Sequence, residues 1–558
     1  MMDPLYSWTR TLLLLLGGSI LFWAGTACAQ PRPGPAARPQ PGIDVQDYDF
    51  GLTLSDTTDR IEGTATVRLQ VTTDTLTAIR LDLIGPPDRL GPSQGTSETG
   101  MRVASVTAEG TAVSHTHADD ILRVTPEAGL TEGRTHTLRI HYAGVPADGL
   151  IIGTNRHGDR TFFGDNWPNR ARHWLPVVDH LSDKATVEFR VTAPAEYEVV
   201  SNGALVSDST TGPLRTTHWR TDVPLPPKVM IVGVADFAVD TVATVDGVPV
   251  QSCVYPEDRG PGFEDLGQAP PILRFFEENL GPYPYEKLAN VQSTTRYGGM
   301  ENAAAIFYSE EAVADDEDDT SLLAHEIAHQ WYGNTVTEAD WPHLWLSEGF
   351  ATYLTGLYLE HARGAAALTT YMTEARRQVV RFHQKRPDTP LVDTTYSDPT
   401  ELLTTNPYQK GAWVLHMLRH EVGTDVFWEG LRAYYDRYRN GNATTSDFRA
   451  VMEDVSGRAL GPFFAQWTRR AGHPVIEGTW RHDAGAGECV VTLRQTQDGP
   501  SFRVPVDLAL EGVSTRTTTL FMDDRTTEAR VDCPEAPSAI TLDPQTRLLA
   551  ELSITRAE

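Results

Sequence analysis

The chain is short of positive charge, and of lysine above all. Its 75 acidic residues outnumber 47 basic ones, which gives a formal net charge of −28. Its few lysines are Lys184, Lys228, Lys287, Lys385 and Lys410. Such a surface repels phosphate, which argues against nucleic acid or an anionic membrane as a partner. An acidic, arginine-preferring composition is typical of proteins that stay soluble in concentrated salt, but also of acidic exported proteins from GC-rich genomes, and both interpretations stay open.

Cysteine is scarce too, with Cys28, Cys253, Cys489 and Cys533 as its four occurrences. Without Cys28 the mature chain has three, an odd number that is too small for a disulfide scaffold, and they have no metal-binding spacing. Cys489 and Cys533 fall in one predicted β region and could pair in an oxidising compartment. Cys253 is expected to be a buried small apolar residue.

Long apolar runs are absent after the N-terminus. One run extends from Leu12 to Ala24, with Arg10 before it and the small residues Ala27-Cys28-Ala29 after it. This is the pattern of a secretory signal peptide, so we expect residues 1–29 to direct export to the periplasm or the medium, and the mature chain to have no membrane span. The alternative is a cut before Cys28 with lipid on that cysteine, which resembles a bacterial lipoprotein signal.

Composition and hydrophobic period divide the rest of the chain into four segments. Residues 30–42 are a Pro-rich linker with nothing to bury. From 43 to 245, short alternating runs broken by Gly, Pro and Asp predict an all-β domain. From 246 to 472, helical spacing predicts a mainly helical domain. From 473 to 558, short strands return and predict a small β-sandwich, so the fold class is multidomain α+β.

The helical segment contains the strongest functional signal, His325-Glu326-Ile327-Ala328-His329. Histidines four residues apart on a helix project from one face about 6 Å apart and can share one ion. Glu348 follows after eighteen intervening residues, in the next predicted helix, and can supply a third ligand. Two histidines and a glutamate leave one coordination position for water, as catalytic zinc requires, so the sequence predicts one Zn²⁺ per chain.

Five consecutive acidic residues, Asp315-Asp316-Glu317-Asp318-Asp319, precede the predicted metal-binding helix. Carboxylates in this position complement the helix dipole and cap free N–H groups. We prefer this capping role to the alternative, a second cation site.

Three ordered motifs resemble those of the aminopeptidase N family of gluzincin metallopeptidases. They are Gly298-Gly299-Met300-Glu301-Asn302, the His-Glu-x-x-His helix, and the segment from Trp345 to Tyr353. The family's Tyr-x-Lys-Gly segment is matched by Tyr408-Gln409-Lys410-Gly411, and Arg172 to Asp179 extends the resemblance into the first domain. The resemblance thus covers nearly the whole mature chain.

The resemblance implies an N-terminal β-saddle, a thermolysin-like catalytic domain and a small C-terminal β-sandwich. The sequence has no counterpart of the family's usual large C-terminal helical domain, which leaves open how the active-site cavity is covered. Two further departures are Ser347, where the family often has Asn, and Gly299, where Ala is common. Neither is a predicted metal ligand.

The resemblance and the chemistry of peptide hydrolysis assign roles. Glu326 is expected to act as general base, Tyr408 to bind the oxyanion, and the Gly298–Asn302 segment to bind substrate. Glu301 would pair with the α-ammonium of a peptide, which makes the enzyme an aminopeptidase, and Asp165 or Asn166 would be a second amine-binding group. The alternatives are the epoxide hydrolase activity of one branch of the family and an inactive peptide-binding scaffold.

Overall fold

The structure is a computed structural model that describes residues 40–86, 99–126, 129–315, 317–512 and 516–557. The expected signal peptide, Cys28 and most of the Pro-rich linker lie outside these residues. Within them, no helix combines the length and the apolar character that a membrane crossing needs.

The first part of the chain is built mainly from β-strands, which confirms the expected N-terminal β domain. Strands β1 to β17 are Ile43–Thr53, Ile61–Val71, Ile79–Asp82, Gly100–Ala108, Thr111–Ala112, Ser114–Ala118, Ile121–Thr125, Thr135–Val145, Leu150–Thr154, Arg160–Gly164, Ala185–Pro194, Glu198–Ser201, Ala204–Thr211, Leu214–Leu225, Val232–Ala235, Ala238–Val245 and Val248–Val254. One sheet has the order β13-β14-β11-β1-β2-β8-β4-β5, a second β12-β15-β10-β9, and a third β3-β7-β6.

The large sheet follows directly from the alternating sequence. In β2 every second residue from Ile61 to Val71 is buried, while those between are exposed or half-buried. Strand β8 shows the same alternation over most of its length. A strand with one face on the core and one face in solvent requires this period of two. The central strand β1 adds the fully buried Tyr48 and Phe50 to the core.

The middle of the chain combines a mixed sheet with helices. Strands β18 to β22 are Leu288–Ser293, Gly299–Met300, Ala305–Ser309, Val336–Glu338 and Gly441–Ala443, and helices α1 to α9 are Arg259–Leu266, Ala269–Leu280, Thr320–Ala328, Trp345–Arg363, Ala365–Lys385, Gly411–Val422, Thr424–Tyr438, Thr445–Ser456 and Gly461–Phe464. The five-stranded sheet has the order β16-β17-β18-β20-β19. Its edge strand β19, antiparallel to β20, is the Gly299–Met300 part of the segment that the sequence predicts to bind substrate.

The helix that carries the two predicted histidine ligands is shorter than its apolar spacing predicts. The sequence predicts a helix from Thr320 to Tyr332, whereas α3 ends at Ala328 and His329 is its C-cap. The reason is a tightening of the last turn: the N–H of Gln330 bonds to Ile327 and that of Trp331 to Ala328, three residues back rather than four.

The last part of the chain returns to strands. They are β23 to β29, namely Val475–Asp483, Glu488–Gln495, Val504–Glu511, Arg516–Met522, Thr526–Asp532, Ala539–Leu542 and Glu551–Arg556. They form a sheet in the order β27-β24-β23-β29 and another in the order β26-β25-β28. Cys489 and Cys533 are disulfide-bonded here, while Cys253 in β17 is free and buried, as expected.

The chain divides into two compact units. The first comprises the residues up to Trp341 with Ser397–Thr400 and Tyr435–Thr444, and the second comprises Pro342–Tyr396, Glu401–Tyr434 and Thr445–Glu558. The first therefore holds the N-terminal sheets, the five-stranded sheet and α3. The second holds α4, α5, α6 and both C-terminal sheets.

Candidate metal centre

The three side chains predicted as zinc ligands form a group. His325, His329 and Glu348 are all buried, each offers one ligand atom, and these atoms lie within 4.8 Å of one another. In the part of the chain that the structure describes, this is the one group of three or more His, Cys, Asp or Glu residues that meets this distance limit. The acidic residues before α3 therefore form no comparable group among the described residues.

The histidine geometry fits a zinc ion. The Nε2 atoms of His325 and His329 are 3.1 Å apart, and tetrahedral zinc with Zn–N bonds of about 2.0–2.1 Å would hold two nitrogens roughly 3.3 Å apart. The Nδ1 of His329 lies 3.1 Å from the carbonyl oxygen of Tyr332. A hydrogen bond donated there by Nδ1–H leaves the Nε2 lone pair for the metal, the arrangement usual for metal-binding histidines.

The general-base candidate lies against the edge strand of the five-stranded sheet. Glu326 is 2% exposed, and a Cβ added to Gly299 would lie 2.3 Å from its Oε1. Glycine at position 299 thus leaves the space that the Glu326 carboxylate occupies. The departure from the family's common alanine therefore has a structural counterpart, which the sequence did not suggest.

Glu301 is a buried carboxylate with spare hydrogen-bonding capacity. Its side chain is 7% exposed and its Oε1 is 3.9 Å from Lys228 Nζ. Within the described residues no group donates a hydrogen bond to that oxygen. Its backbone carbonyl, in contrast, accepts hydrogen bonds from Gln330 Nε2 at 3.0 Å and Asn334 Nδ2 at 2.6 Å. Two hydrogen bonds therefore fix the backbone of Glu301, while Oε1 of its carboxylate can still accept one. This arrangement suits the binding of an ammonium group.

The two candidates for a second amine-binding group have other partners. Asn166 Nδ2 donates to the carbonyl of Pro227 at 3.1 Å, and its Oδ1 accepts from Trp174 Nε1 at 2.8 Å. The side chain thus connects the segments that carry Pro227 and Trp174. Asp165 accepts from Arg170 at 2.5 Å, and its Oδ2 has no hydrogen bond among the described residues. Burial raises the pKa of Asp165 although neighbouring arginines lower it. A substrate role for Asp165 stays a prediction.

Tyr408 is positioned by a close crossing of two helices. It is half-buried and lies in the π-helical turn Asn406–Lys410, which leads into α6. A Cβ on Gly349, the residue after Glu348, would be 2.8 Å from Gly411 Cα. Only glycine permits such an approach of two backbones, and it brings the Tyr408 turn against the helix that carries Glu348. Both glycines lie within the motifs named from the sequence, which assigned them no role.

The acidic run before α3 caps the helix through one of its members. Asp318 Oδ1 accepts a hydrogen bond from the N–H of Thr320 at 3.2 Å. Asp319 is the N-cap residue but makes no capping hydrogen bond with its side chain. Burial and the neighbouring acids raise the pKa of Asp319 to about 8. The capping expectation therefore holds for Asp318 and is wrong for Asp319, while Asp316 lies outside the described residues.

Sequence comparison finds relatives among aminopeptidases. Aminopeptidase M1-C of Oryza sativa subsp. japonica is 29% identical over 355 residues, which are 61% of this chain and 40% of the relative. Human glutamyl aminopeptidase is 28% identical over 331 residues, which are 56% of this chain and 34% of the relative. The chain thus spans well under half the length of these curated relatives.

Structure comparison finds M1 zinc metallopeptidases. The enzyme from Deinococcus radiodurans is 26% identical, with a TM-score of 0.65 over 77% of this chain and 95% of that one. A mutant of it bound to a Tyr-Ser-Ala substrate gives the same values. Residues 45–227 match the peptidase M1 N-terminal domain and residues 264–467 match the peptidase family M1 domain. The chain therefore belongs to peptidase family M1, the aminopeptidase N family of zinc metallopeptidases.

Proposed function

We propose that the chain is a zinc-dependent aminopeptidase that hydrolyses the first peptide bond of peptides with a free N-terminus. The observation that carries the proposal is the buried group of His325, His329 and Glu348, whose donor set is that of catalytic zinc with one open position. Relatives named as aminopeptidases support the choice of reaction. The relative bound to a tripeptide supports the choice of substrate class.

The roles of the chain's own residues follow from peptide hydrolysis. Zinc held by the three ligands would acidify the attacking water and polarise the scissile carbonyl. Glu326 accepts the proton of that water on its carboxylate and delivers it to the departing amine. Tyr408 donates a hydrogen bond from its hydroxyl to the oxyanion.

Glu301 makes the reaction exopeptidic. Its open Oε1 pairs with the substrate's α-ammonium, and this pairing fixes the scissile bond one residue from the N-terminus. The backbone of β19, at the sheet edge, forms hydrogen bonds with the extended peptide, and Gly298 and Asn302 border this strand.

The setting of the enzyme is also a proposal. The chain is exported to the periplasm or the medium, with residues 1–29 as the signal and a lipid on Cys28 as the alternative. Residues 43–245, 246–472 and 473–558 are the β-saddle, the thermolysin-like catalytic domain and the C-terminal sandwich. Within the last, the two described sheets pack face to face.

A panel of aminoacyl arylamides, each with a free and with an acetylated amine, tests the proposal. A charge-assisted hydrogen bond contributes about 1.5–3 kcal/mol, so Glu301→Ala should lower kcat/KM for a free-amine dipeptide arylamide roughly ten- to two-hundredfold. The variant should lose little further activity on the acetylated substrate, because that substrate has no ammonium to bind.

Each alternative gives a different result in the same experiment. Losses that simply multiply, or equal cleavage of blocked and internal bonds, would mean that Glu301 is not the amine anchor and that the enzyme is an endopeptidase. Opening of an epoxide without arylamide hydrolysis indicates the epoxide hydrolase branch. A zinc-free, inert protein indicates a peptide-binding scaffold.

A further inference from the structure

A buried charge cluster surrounds the proposed amine anchor. Lys228 Nζ lies 2.9 Å from Glu338 Oε1 and 3.9 Å from Glu301 Oε1. The side chains of Lys228 and Glu338 are 1% and 0% exposed. The first distance is a hydrogen bond and the second is too long for one. Lys228 is therefore bonded to Glu338 and only faces Glu301.

Hydrogen bonds hold the three segments of this cluster in place. Asn202 Nδ2 donates to the carbonyl of Val229, next to Lys228, at 2.8 Å and to that of Ala303, close to Glu301, at 2.7 Å. Glu338 pairs with Ala443 across the β21-β22 ladder. The backbone segments that carry Lys228, Glu301 and Glu338 are thus each held by hydrogen bonds. Their positions account for the shorter distance from Lys228 to Glu338 than to Glu301.

The cluster has an excess of one negative charge when its three groups are ionised. Lys184 is a further basic residue that interacts electrostatically with Glu338, but it donates to the carbonyls of Asn334 at 3.0 Å and Thr335 at 2.9 Å, and burial lowers its pKa well below the usual value. Burial also raises the pKa of Glu338, and Lys228 opposes this effect. One further cation, such as a substrate α-ammonium, would balance the two carboxylates and Lys228.

We infer that Lys228 and Glu338 are positioning residues that keep the Glu301 carboxylate open for the substrate's α-ammonium. Glu338 holds the Lys228 ammonium in a direct hydrogen bond, so that it does not close on Glu301. Lys228 in turn screens the repulsion between the two buried carboxylates. The inference rests on the proposed role of Glu301 in binding the α-ammonium. It adds that Lys228 and Glu338 are the residues that leave Glu301 able to do so.

Glu338→Gln is the decisive change. It preserves the shape of the side chain but removes its charge, which leaves Lys228 with Glu301 as its remaining carboxylate partner in the cluster. An ion pair between them would neutralise the amine site, so KM for free-amine arylamides should rise about tenfold or more while kcat falls less. The double variant Lys228→Met with Glu338→Gln removes the competing ammonium as well and should recover most of this loss.

Two variants separate charge from packing. Glu338→Asp keeps the charge and shortens the side chain, so it should lose less than Glu338→Gln if charge matters and more if shape matters. Asp179→Asn breaks another buried ion pair, in which Arg172 Nε lies 3.0 Å from Asp179. It controls for general destabilisation and should leave KM unchanged. Melting temperatures of all variants verify that they are folded.

Binding of the amino alcohol L-leucinol, measured by calorimetry, provides a readout that needs no turnover. The wild type should bind L-leucinol more tightly than 4-methyl-1-pentanol, which lacks the amine. Glu338→Gln should abolish this preference and the double variant should restore it. If the wild type hydrolyses no arylamide, the proposed function fails. The same binding pattern would still support the inference that Glu338 and Lys228 keep Glu301 open for an ammonium group.

Three results overturn the inference. One is a Glu338→Gln variant whose KM and leucinol affinity stay within about threefold of wild type. The second is a double variant in which the two losses add instead of cancelling. The third is a wild type that binds the amino alcohol no better than the alcohol without the amine.

Discussion

The close crossing of α4 and α6 makes Gly349, the residue after the proposed metal ligand Glu348, a position where a larger side chain would be disruptive. A Cβ at residue 349 would lie 2.8 Å from Gly411 Cα and 2.9 Å from the Pro407 carbonyl oxygen. Carbon atoms in contact are about 3.5–4.0 Å apart, so Gly349→Ala requires the two backbones to separate by roughly 0.7–1.2 Å. Overpacking of this kind costs about 1–3 kcal/mol of stability, and a misplacement of ~1 Å in a catalytic group can cost about a hundredfold in rate.

Gly349→Ala should therefore lower kcat/KM for a free-amine arylamide about a hundredfold, together with the melting temperature. The reason is that Glu348 precedes this residue and Tyr408 lies in the turn that it contacts. Zinc content measured on the same protein distinguishes two causes of this loss. Reduced zinc indicates that Glu348 has moved, whereas wild-type zinc indicates that Tyr408 has moved.

Gly260→Ala in α1 is the matched control. A Cβ there would meet nothing within 4 Å, so activity should be unchanged and stability equal or slightly higher, because alanine favours helix. A Gly349→Ala enzyme with wild-type zinc content and kcat/KM within about threefold of wild type would refute the argument that the close crossing positions the site.

Three further predictions concern the catalytic groups and the surface. Glu326→Gln should keep its zinc, because the side chain is not a proposed ligand, yet lower kcat by several powers of ten; loss of zinc in proportion to activity contradicts this role. Tyr408→Phe should lower kcat about a hundredfold or more with little change in KM, as steady-state kinetics would measure, and an unchanged kcat would remove Tyr408 from the mechanism. The melting temperature should rise from dilute buffer toward molar NaCl, because salt screens the repulsion of a chain with a net charge of −28. A flat or falling melting temperature would rule out the salt-adapted interpretation.

The spacing of apolar residues predicts an individual helix or strand well where one face of that element is apolar along its whole length. The spacing from Ala366 to Lys385 predicts a helix, and α5 begins one residue earlier and ends at the same residue. Strand β27 gave no such signal, because its residues from Thr526 to Asp532 alternate between exposed and half-buried with none fully buried. A strand without buried side chains has no apolar pattern to detect.

A local sequence pattern does not predict which distant strands pair with each other. Strand β1 pairs in parallel with β11, for example Phe50 with Phe189, and antiparallel with β2. The register between such strands depends on which side chains pack together in the folded sheet. The sequence therefore predicts that these strands exist but does not predict their order.

The same distinction separates the site residues that were predicted from those that were missed. His325 and His329 share one helical segment, so their geometry follows from the rise of a helix. Lys228 and Glu338 are 110 residues apart, and each alone is typical of an ordinary surface charge. Their burial and their distances to Glu301 depend on tertiary packing, which the sequence pattern does not encode.

The scarcity of lysine becomes informative once burial is known. Among the described residues Lys385 is the exposed lysine, whereas Lys228, Lys287 and Lys410 are buried and Lys184 is half-buried. Lys287 and Lys410 donate to backbone carbonyls, as Lys184 does. Lys228 is the lysine within the described residues whose ammonium lies within 4.0 Å of carboxylates. A lysine ammonium is a compact point charge with three rotatable donors, whereas an arginine presents a rigid planar fork, so the two are not interchangeable at such positions. Four of the five lysines are thus buried or half-buried, and the one at residue 228 adjoins the proposed amine anchor, 3.9 Å from the Glu301 carboxylate.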